Sequence, residues 1–369
     1  MSLFGKSKPQ SFLGVDLGTG GVKLVELSNE KGRTKLLTYA YTEKRTLDST
    51  QSMLDDPKKA AELLGKMIKQ CGASATRVVS GLPQNVVFDA IISIPYVKDE
   101  KQRKSLIESQ VRKLTPIPFE EMILDSKILD EKEKGPKLSK KEEKDQKEQG
   151  KKEEPPAENM RVLVTGAPKA IVQKYIEIFR LAKLQLVALE TESFALLRSL
   201  VGKDRSTIMI VDMGARRTNL AVIEKGIPVL SRSVNVGGMM VSKQIADQMG
   251  VTPEEAEQMK MDLSKAGTKE VPPAAELILQ PILNEISYTF RLLTERGMNS
   301  GSRVEKIIVT GGSSALPGIV PYLTQKLNLN VYLGDPFARV TIPEALRPVL
   351  DEIGPRMAIT VGLAMRDME

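Results

Sequence analysis

Short apolar runs alternate along the chain with stretches whose apolar residues recur every three or four positions. The runs predict strands buried in a sheet, and the periodic stretches predict helices with one buried face. Strands and helices mixed in this way favour an α/β architecture. The predicted strands are Phe12–Asp16, Val22–Leu27, Arg77–Ser80, Val86–Ile94, Met122–Leu129, Arg161–Thr165, Ile208–Asp212, Asn219–Glu224 and Lys306–Val309. The predicted helices are Asp99–Leu114, Ala170–Ala182, Glu192–Leu200, Val241–Met249, Glu254–Met261, the stretch from Pro273 to Gly297, Pro317–Leu327 and Pro355–Met365.

One segment interrupts this pattern. Residues 130–158 consist mainly of lysines and acidic residues, with several glycines and prolines and Leu138 as the single large apolar residue. Because so little apolar surface cannot offset the entropy lost on ordering, we expect a disordered charged loop between the strands on either side.

Two parts of the chain share one local pattern. An apolar strand ends in Asp16, one residue and Gly18 follow, and a polar turn leads into a second strand. The same order recurs from Asp212 and Gly214, about half a chain length later. A chain that repeats such a unit at half-length is expected to form two related halves facing one cleft.

The composition limits the chemistry that such a cleft can carry out. There are no histidines and only one cysteine, Cys71, which excludes Ser-His-Asp catalysis and zinc sites built from His and Cys. The net charge is +7, but aromatic residues are 4% and do not alternate with basic stretches as in single-strand nucleic-acid binders. No apolar run reaches the ~20 residues of a membrane span, and the start lacks the apolar core of a signal peptide. We therefore expect a soluble cytoplasmic protein.

The repeated turns are suited to bind phosphate. Their glycines allow several backbone N–H groups to point at one anion, although a single Asp-x-Gly turn is more often a plain hairpin. Two equivalent turns in opposed halves can clamp a polyphosphate. Asp16 and Asp212 would then hold Mg²⁺ through water, and Lys23 would reach the same phosphates. A third glycine motif, Gly311-Gly312, follows the predicted strand Lys306–Val309, where backbone can approach a base, ribose or phosphate.

In this order the motifs resemble the two phosphate motifs and the adenosine motif of the actin-like ATPase superfamily. They read Asp16-Leu-Gly-Thr-Gly-Gly-Val-Lys23, Asp212-Met-Gly-Ala-Arg-Arg-Thr-Asn219 and Val309-Thr-Gly-Gly-Ser313. Ala256-Glu257-Gln-Met-Lys260 and the pair Gly237-Gly238 are similar to the bacterial division branch, FtsA. The opening Ser-Leu-Phe-Gly-Lys, together with the first motif, is similar to the PilM family of type IV pilus assembly. The resemblance covers nearly the whole chain except the charged loop.

The resemblance implies a role for each motif. Asp16 and Asp212 would be the magnesium carboxylates. Glu192, at the start of the central helix, would be the catalytic residue that orients the attacking water, with Glu190 as the fallback. Either glutamate can instead simply cap the helix that begins beside it. The residues implied to contact ATP are Gly18, Thr19, Gly20, Gly21, Lys23, Gly214, Arg216, Thr218, Asn219, Gly237, Gly238, Glu257, Lys260, Gly311, Gly312 and Ser313.

The resemblance also implies an actin-like fold, in which two ribonuclease-H-like halves flank a nucleotide cleft. The first half would comprise residues 1–83, 184–206 and 355–369, and the second would comprise residues 207–354. Residues 84–183 would form a small inserted α+β domain that contains the charged loop.

The function implied is that of an ATP-binding cytoplasmic platform with at most slow ATP hydrolysis. Its partner would be the cytoplasmic tail of a PilN-like inner-membrane protein, which would recruit it to the membrane; other pilus components and self-association are compatible with this role. An FtsA-like division or filament protein is the alternative, but the apolar helix Pro355–Met365 lacks the basic face of a membrane-surface helix. A sugar kinase ranks lowest, because the inserted segment offers no clear polar substrate pocket.

Overall fold

The computed structural model describes residues 10–42, 52–115, 117–133, 159–265, 270–295 and 303–368. Residues 134–158 of the predicted charged loop lie outside these ranges, as does the predicted helix end at Gly297. The strands are β1 Ser11–Gly18, β2 Gly21–Glu30, β3 Arg33–Tyr41, β4 Arg77–Leu82, β5 Phe88–Pro95, β6 Met122–Glu133, β7 Asn159–Pro168, β8 Gln185–Thr191, β9 Ile208–Met213, β10 Thr218–Glu224, β11 Ile227–Val234, β12 Lys306–Thr310 and β13 Asn330–Leu333.

Helices connect these strands. They are α1 Pro57–Cys71, α2 Glu100–Leu114, α3 Lys169–Leu181, α4 Glu192–Leu196, α5 Gly238–Met249, α6 Pro253–Lys265, α7 Pro273–Glu295, α8 Ile319–Leu327 and α9 Arg347–Ala364. Two predictions need correction at their ends. Strand β6 continues to Glu133, inside the segment predicted to be disordered, and α9 begins at Arg347 with Pro355 in its interior.

Two five-stranded sheets have the same topology. Their strand orders are β3-β2-β1-β4-β8 and β11-β10-β9-β12-β13. In each sheet the strand that carries the repeated Asp, β1 or β9, pairs antiparallel with the next strand and parallel with the strand on its other side. The repeat in the sequence is therefore a repeat in the fold, and the predicted α/β class is confirmed.

Internal contacts group the described residues into two units. The larger lies within Met1–Asn85 and Val172–Glu369 and contains both five-stranded sheets. The smaller, within Val86–Ile171, contains the sheet β5-β7-β6 with α2 packed against it. The core of the smaller unit consists of Ile92, Ile94, Ile107, Val111, Met160, Val162 and Val164. The predicted boundaries at residues 83/84, 183/184 and 206/207 stay a prediction.

Helix α9 is the element that both five-stranded sheets share. One of its faces, with Ile353, Met357 and Val361, packs on β2 and β3, and another, with Ile359 and Leu363, packs on β9, β10 and α4. Burial on two faces makes nearly every residue of its second half part of the core, which outweighs the helix hydrogen bond that Pro355 removes.

Gly362 allows α9 to pack closely against α4, so a methyl group there should be costly. A β-carbon at this position would lie 2.5 Å from the carbonyl carbon of Ala195 and nearer still to its oxygen. We expect Gly362→Ala to lower the free energy of unfolding in urea by about 2 kcal/mol or more. Gly65→Ala in α1 is the matched control, because nothing lies within 4 Å of that position. The control should gain up to about 1 kcal/mol of helix propensity. Equal stability of the two variants would contradict this packing.

Candidate functional site

The first glycine turn brings a carboxylate and an ammonium together. Asp16 near the end of β1 lies directly opposite Lys23 of β2, and Lys23 Nζ lies 2.7 Å from Asp16 Oδ2. Burial alone would lower the pKa of Lys23, but the charge and hydrogen bond of Asp16, helped by Asp212 and Glu192, raise it. Lys23 therefore stays charged. The intervening turn, Gly18 to Gly21, includes the exposed Thr19.

The second turn contacts the first. Gly214 N–H donates to the Arg217 carbonyl at 2.9 Å and closes the turn between β9 and β10. A β-carbon at Gly20 would lie 2.9 Å from that of Ala215, so the two predicted phosphate loops touch. The hydroxyl of Thr218 donates to the Val236 carbonyl at 2.9 Å. Its predicted role toward a phosphate stays a prediction, as does that of the half-buried Arg216.

The start of α5 holds the second loop from behind. Gly238 N–H donates to the Gly214 carbonyl at 3.0 Å, and Met239 N–H donates to the Ala215 carbonyl at 2.8 Å. Ser313 Oγ donates to the same Gly214 carbonyl at 3.0 Å. Because the N–H of Gly238 is hydrogen-bonded to the loop, the pair Gly237-Gly238 positions that loop. Direct contact of the pair with a ligand stays a prediction.

The third motif lies directly against Asp212. Gly311 has φ +88°, and a β-carbon there would collide with Asp212 Oδ1 and lie 2.5 Å from the Met213 carbonyl oxygen. The Pro355 carbonyl of α9 fixes the motif by accepting from Gly311 N–H and from Thr310 Oγ1, both at 2.9 Å. Gly312 follows in a short 3₁₀ turn. All three motifs thus meet around the two predicted magnesium carboxylates.

Glu192, directly after β8, joins this cluster as a partly buried carboxyl group. Its Oε2 accepts from the backbone N–H of Gln84 at 3.1 Å and from Asn219 Nδ2 at 2.9 Å. Burial, together with the charges of Asp16 and Asp212, raises the pKa of Glu192 to about 8. Glu192 therefore holds a proton at neutral pH in the free cleft. Asn219, predicted to contact ATP, is occupied with Glu192.

Asp212 is a second carboxyl group with a raised pKa. Burial raises its pKa to about 6, with Asp16 adding to the rise and Lys23 opposing it. The cluster thus sets three carboxyl groups, Asp16, Asp212 and Glu192, against one ammonium. Within the described ranges, no group of three or more Asp, Glu, His or Cys side chains is placed to hold a metal ion. The prediction that Asp16 and Asp212 hold Mg²⁺ largely through water stays a prediction.

Glu190, the fallback for the catalytic role, is engaged elsewhere. Its carboxylate forms a two-pronged ion pair with Arg198, at 2.5 Å and 2.9 Å. Arg198 also donates to the Gly362 carbonyl. Of the two glutamates, Glu192 alone belongs to the cluster with Asp16 and Asp212.

Helix α6 forms the remaining corner of the site. Lys260 Nζ lies 2.7 Å from Glu257 Oε2 and donates to the Gly238 carbonyl at 3.2 Å. Glu257 and Lys260, both predicted to contact ATP, are thereby linked to α5 and, through Gly238, to the second loop.

Sequence reasoning missed several residues that surround Glu192. Gln84 lies 108 residues away in the chain, and its side chain accepts from Ser193 Oγ at 2.7 Å. Tyr175 of α3 is fully buried, and its hydroxyl has no hydrogen-bond partner among the described residues. Burial, with the charges of Asp16 and Glu192, raises its pKa well above the ordinary value. No local sequence signal marks Gln84 or Tyr175, since tertiary packing brings both to the cluster.

With this geometry in place, the family can be identified. Residues 14–141 and 145–368 match the sequence model of the family described as "Type IV pilus assembly protein PilM". The chain belongs to this family. The match spans both sides of the charged loop and all three glycine motifs.

Solved structures show the same actin-like fold. The structure described as the PilM-PilN type IV pilus biogenesis complex is 22% identical and has a TM-score of 0.78, covering 98% of this chain and 100% of that one. The ethanolamine utilization protein EutJ from Carboxydothermus hydrogenoformans is 17% identical with a TM-score of 0.52, covering 98% and 91%. The predicted actin-like architecture is confirmed.

Curated relatives include cell division proteins FtsA. The protein of Rhizobium meliloti (strain 1021) is 26% identical in an alignment of 176 positions that covers 42% of this chain and 38% of that protein. The protein of Bacillus subtilis (strain 168) is 23% identical in an alignment of 200 positions that covers 47% of this chain and 44% of that protein. The chain thus spans less than half the length of these relatives. None of the described helices is both long enough and apolar enough to cross a membrane.

The raised pKa of Glu192 predicts a pH-dependent stability in the nucleotide-free protein. The folded value, about 8, lies above the ordinary 4.5. The stability that depends on its proton is therefore complete below about pH 4.5 and is lost as the pH rises through about 8. The glutamine of Glu192→Gln cannot ionise, so the variant does not lose this stability. Between about pH 4.5 and 8, the free energy of unfolding of the variant, relative to that of the wild type, should increase by up to about 1.4 kcal/mol per pH unit.

Denaturant unfolding at about pH 5, 7 and 9, without nucleotide or Mg²⁺, measures this difference. Because the charges of Asp212 and Glu192 repel each other, the difference reports the coupled titration of the pair. Glu62→Gln, at an exposed position of α1, is the matched control and should follow the wild type at every pH. A constant difference between Glu192→Gln and the wild type would show that Glu192 is ionised throughout.

Proposed function

We propose that this protein binds Mg-ATP in the cleft formed by the three glycine motifs and serves as a platform for type IV pilus assembly. The observation that carries the proposal is the convergence of both loops and the third motif on Asp16, Lys23 and Asp212, in a chain of the PilM family. Apolar residues in place of such a charged cluster would stabilise the fold at least as well. The cluster is therefore better explained by a role in binding.

The residues fit a magnesium nucleotide. Lys23 supplies a point charge, and the loops are built from the glycines that phosphate binding requires. Bound Mg²⁺ would supply charge neutralisation between the phosphates and the carboxylates of Asp16 and Asp212. The buried Tyr175 hydroxyl, which has no hydrogen-bond partner among the described residues, lies where the charges of Asp16 and Glu192 act on it, and it adds a polar group to this site.

The hydrogen bonds of Glu192 favour binding over fast hydrolysis. Part of its raised pKa comes from the charges of Asp16 and Asp212, which bound Mg²⁺ would offset, so its protonation alone does not set the rate. Its Oε2 is already occupied by Gln84 and Asn219, which fix the carboxyl group in place. We therefore propose that ATP acts mainly as a bound ligand and that turnover is slow.

The proposed partner is the cytoplasmic tail of a PilN-like inner-membrane protein. The support is the family match and the likeness to a structure described as a PilM-PilN complex. Binding such a tail would place this cytoplasmic protein at the inner face of the membrane.

An FtsA-like filament protein is the second candidate, favoured by the FtsA relatives. Sedimentation distinguishes the two roles. A filament protein should pellet with Mg-ATP as its concentration rises above a threshold, whereas a platform protein should remain in the supernatant.

Titration calorimetry with Mg-ATP tests the cleft. Wild type should bind saturably, and Asp16→Asn and Asp212→Asn should each bind about tenfold more weakly or worse, because each removes a carboxylate that orients the cation. Asp204→Asn is the matched control, since Asp204 is also paired with a lysine, Lys306, but outside the cleft. Equal binding by all four proteins, or none by a folded wild type, would refute the proposed nucleotide site.

Titration with a partner tail tests the platform role separately. A synthetic peptide with the sequence of a PilN-like cytoplasmic tail should bind wild type saturably, and a scrambled peptide of the same composition should not. The titration is repeated with Mg-ATP present. Failure of both peptides in either state would remove the proposed partner while leaving nucleotide binding untouched.

A further inference from the structure

The first loop, the turn Gly18 to Gly21, meets the second loop, between β9 and β10, at a single point. A β-carbon at Gly20 would lie 2.9 Å from that of Ala215, and no other atom beyond the neighbouring residues would lie within 4 Å of it. Carbon atoms in favourable contact are about 3.5–4 Å apart. The two loops can therefore come this close only because position 20 has no side chain.

The backbone conformation of Gly20 does not itself require glycine. The next residue, Gly21, has φ +137°, which L side chains rarely adopt, whereas Gly20 is not among the glycines with positive φ. An alanine at position 20 would thus fit the turn, and the methyl group of Ala215 would be the one obstacle to it. The approach of the second loop is the structural reason for glycine at this position.

Hydrogen bonds hold both sides of this contact in place. On the second loop, the Ala215 carbonyl accepts from the N–H of Met239 at 2.8 Å. Beside the first loop, Val22 N–H donates to Thr42 Oγ1 at 2.9 Å, and Thr42 N–H donates to the Val22 carbonyl at 2.8 Å. Neither loop can retreat from the other without loss of such bonds, so the contact is stiff.

We infer that Gly20 and Ala215 form a steric stop that sets the separation of the two loops and thereby the width of the gap in which a phosphate group is held. The inference rests on the proposed nucleotide binding and deepens it, because it names what fixes the fit of the clamp. Backbone N–H donors bind an oxygen well only over a narrow range of distances. One methyl group more at this contact should therefore change the affinity for a phosphate held between the loops.

Transfer of one methyl group from the second loop to the first tests the stop. Gly20→Ala should weaken the binding of Mg-ATP at least about tenfold in calorimetric titration, because the added methyl group pushes the loops apart. Ala215→Gly removes the stop without pushing the loops apart, and it should weaken binding about threefold or less. The double variant Gly20→Ala/Ala215→Gly should recover to within about threefold of wild type, since the clash is gone.

Gly65→Ala is the matched control, because it adds the same methyl group in α1, where nothing lies within 4 Å, and it should bind Mg-ATP as wild type does. A second readout needs no nucleotide. In urea unfolding, Gly20→Ala should lower the midpoint, and the double variant should lose less stability than the two single variants together.

A double variant that binds as weakly as Gly20→Ala overturns the inference, because the added methyl group would then act on the ligand or within the first loop. Wild-type affinity of a folded Gly20→Ala protein also overturns it. If Gly20→Ala does not fold, Ala215→Val enlarges the same contact from the second loop and must cause the tenfold loss. Failure of folded wild type to bind Mg-ATP would instead refute the proposed nucleotide site. The urea midpoints then decide, and additive losses of stability would overturn the stop.

Discussion

A single, partly buried ammonium near three carboxyl groups is the constraint on which the site depends. Lys23 is paired with Asp16, while Asp212 and Glu192 are left to adjust by holding protons more tightly. Burial makes each unbalanced charge costly, and mutual repulsion adds to the cost. This imbalance of charge supports the proposal that the cleft binds a polyphosphate only together with a cation.

The backbone is arranged to keep this cluster together. The turn at Gly20 touches the second loop, the second loop is bonded from behind by α5, and Gly311 lies against Asp212. Helix α9 contributes the Pro355 carbonyl that fixes the third motif, and it packs on both sheets at once. A shift of one sheet relative to the other would therefore change both the packing of α9 and the distances between the charged groups.

Local patterns in the sequence carried a large part of this account. A strand–turn–strand unit places residues at equal distances from the turn opposite each other, so the return of Lys23 to the first loop and the repeat of the two halves were predicted. The ion pair between Lys23 and Asp16 was not predicted. Edge strands such as β3 and β13 were missed because their exposed positions break the apolar run. The helix was predicted to begin at Pro355, but α9 begins at Arg347, because tertiary burial outweighs the helix-breaking effect of Pro355. Gln84 and Tyr175 reach the site through packing between distant segments, which spacing along the chain cannot reveal.

The central claim is that the cleft takes polyphosphate only together with a cation. Calorimetric titration of wild type with ATP near neutral pH, once with excess Mg²⁺ and once with EDTA, tests it directly. The buried carboxyl groups predict that affinity falls by at least about tenfold when Mg²⁺ is removed, since the unscreened phosphates would then be repelled by Asp16 and Asp212. Equal affinity under the two conditions would contradict the account.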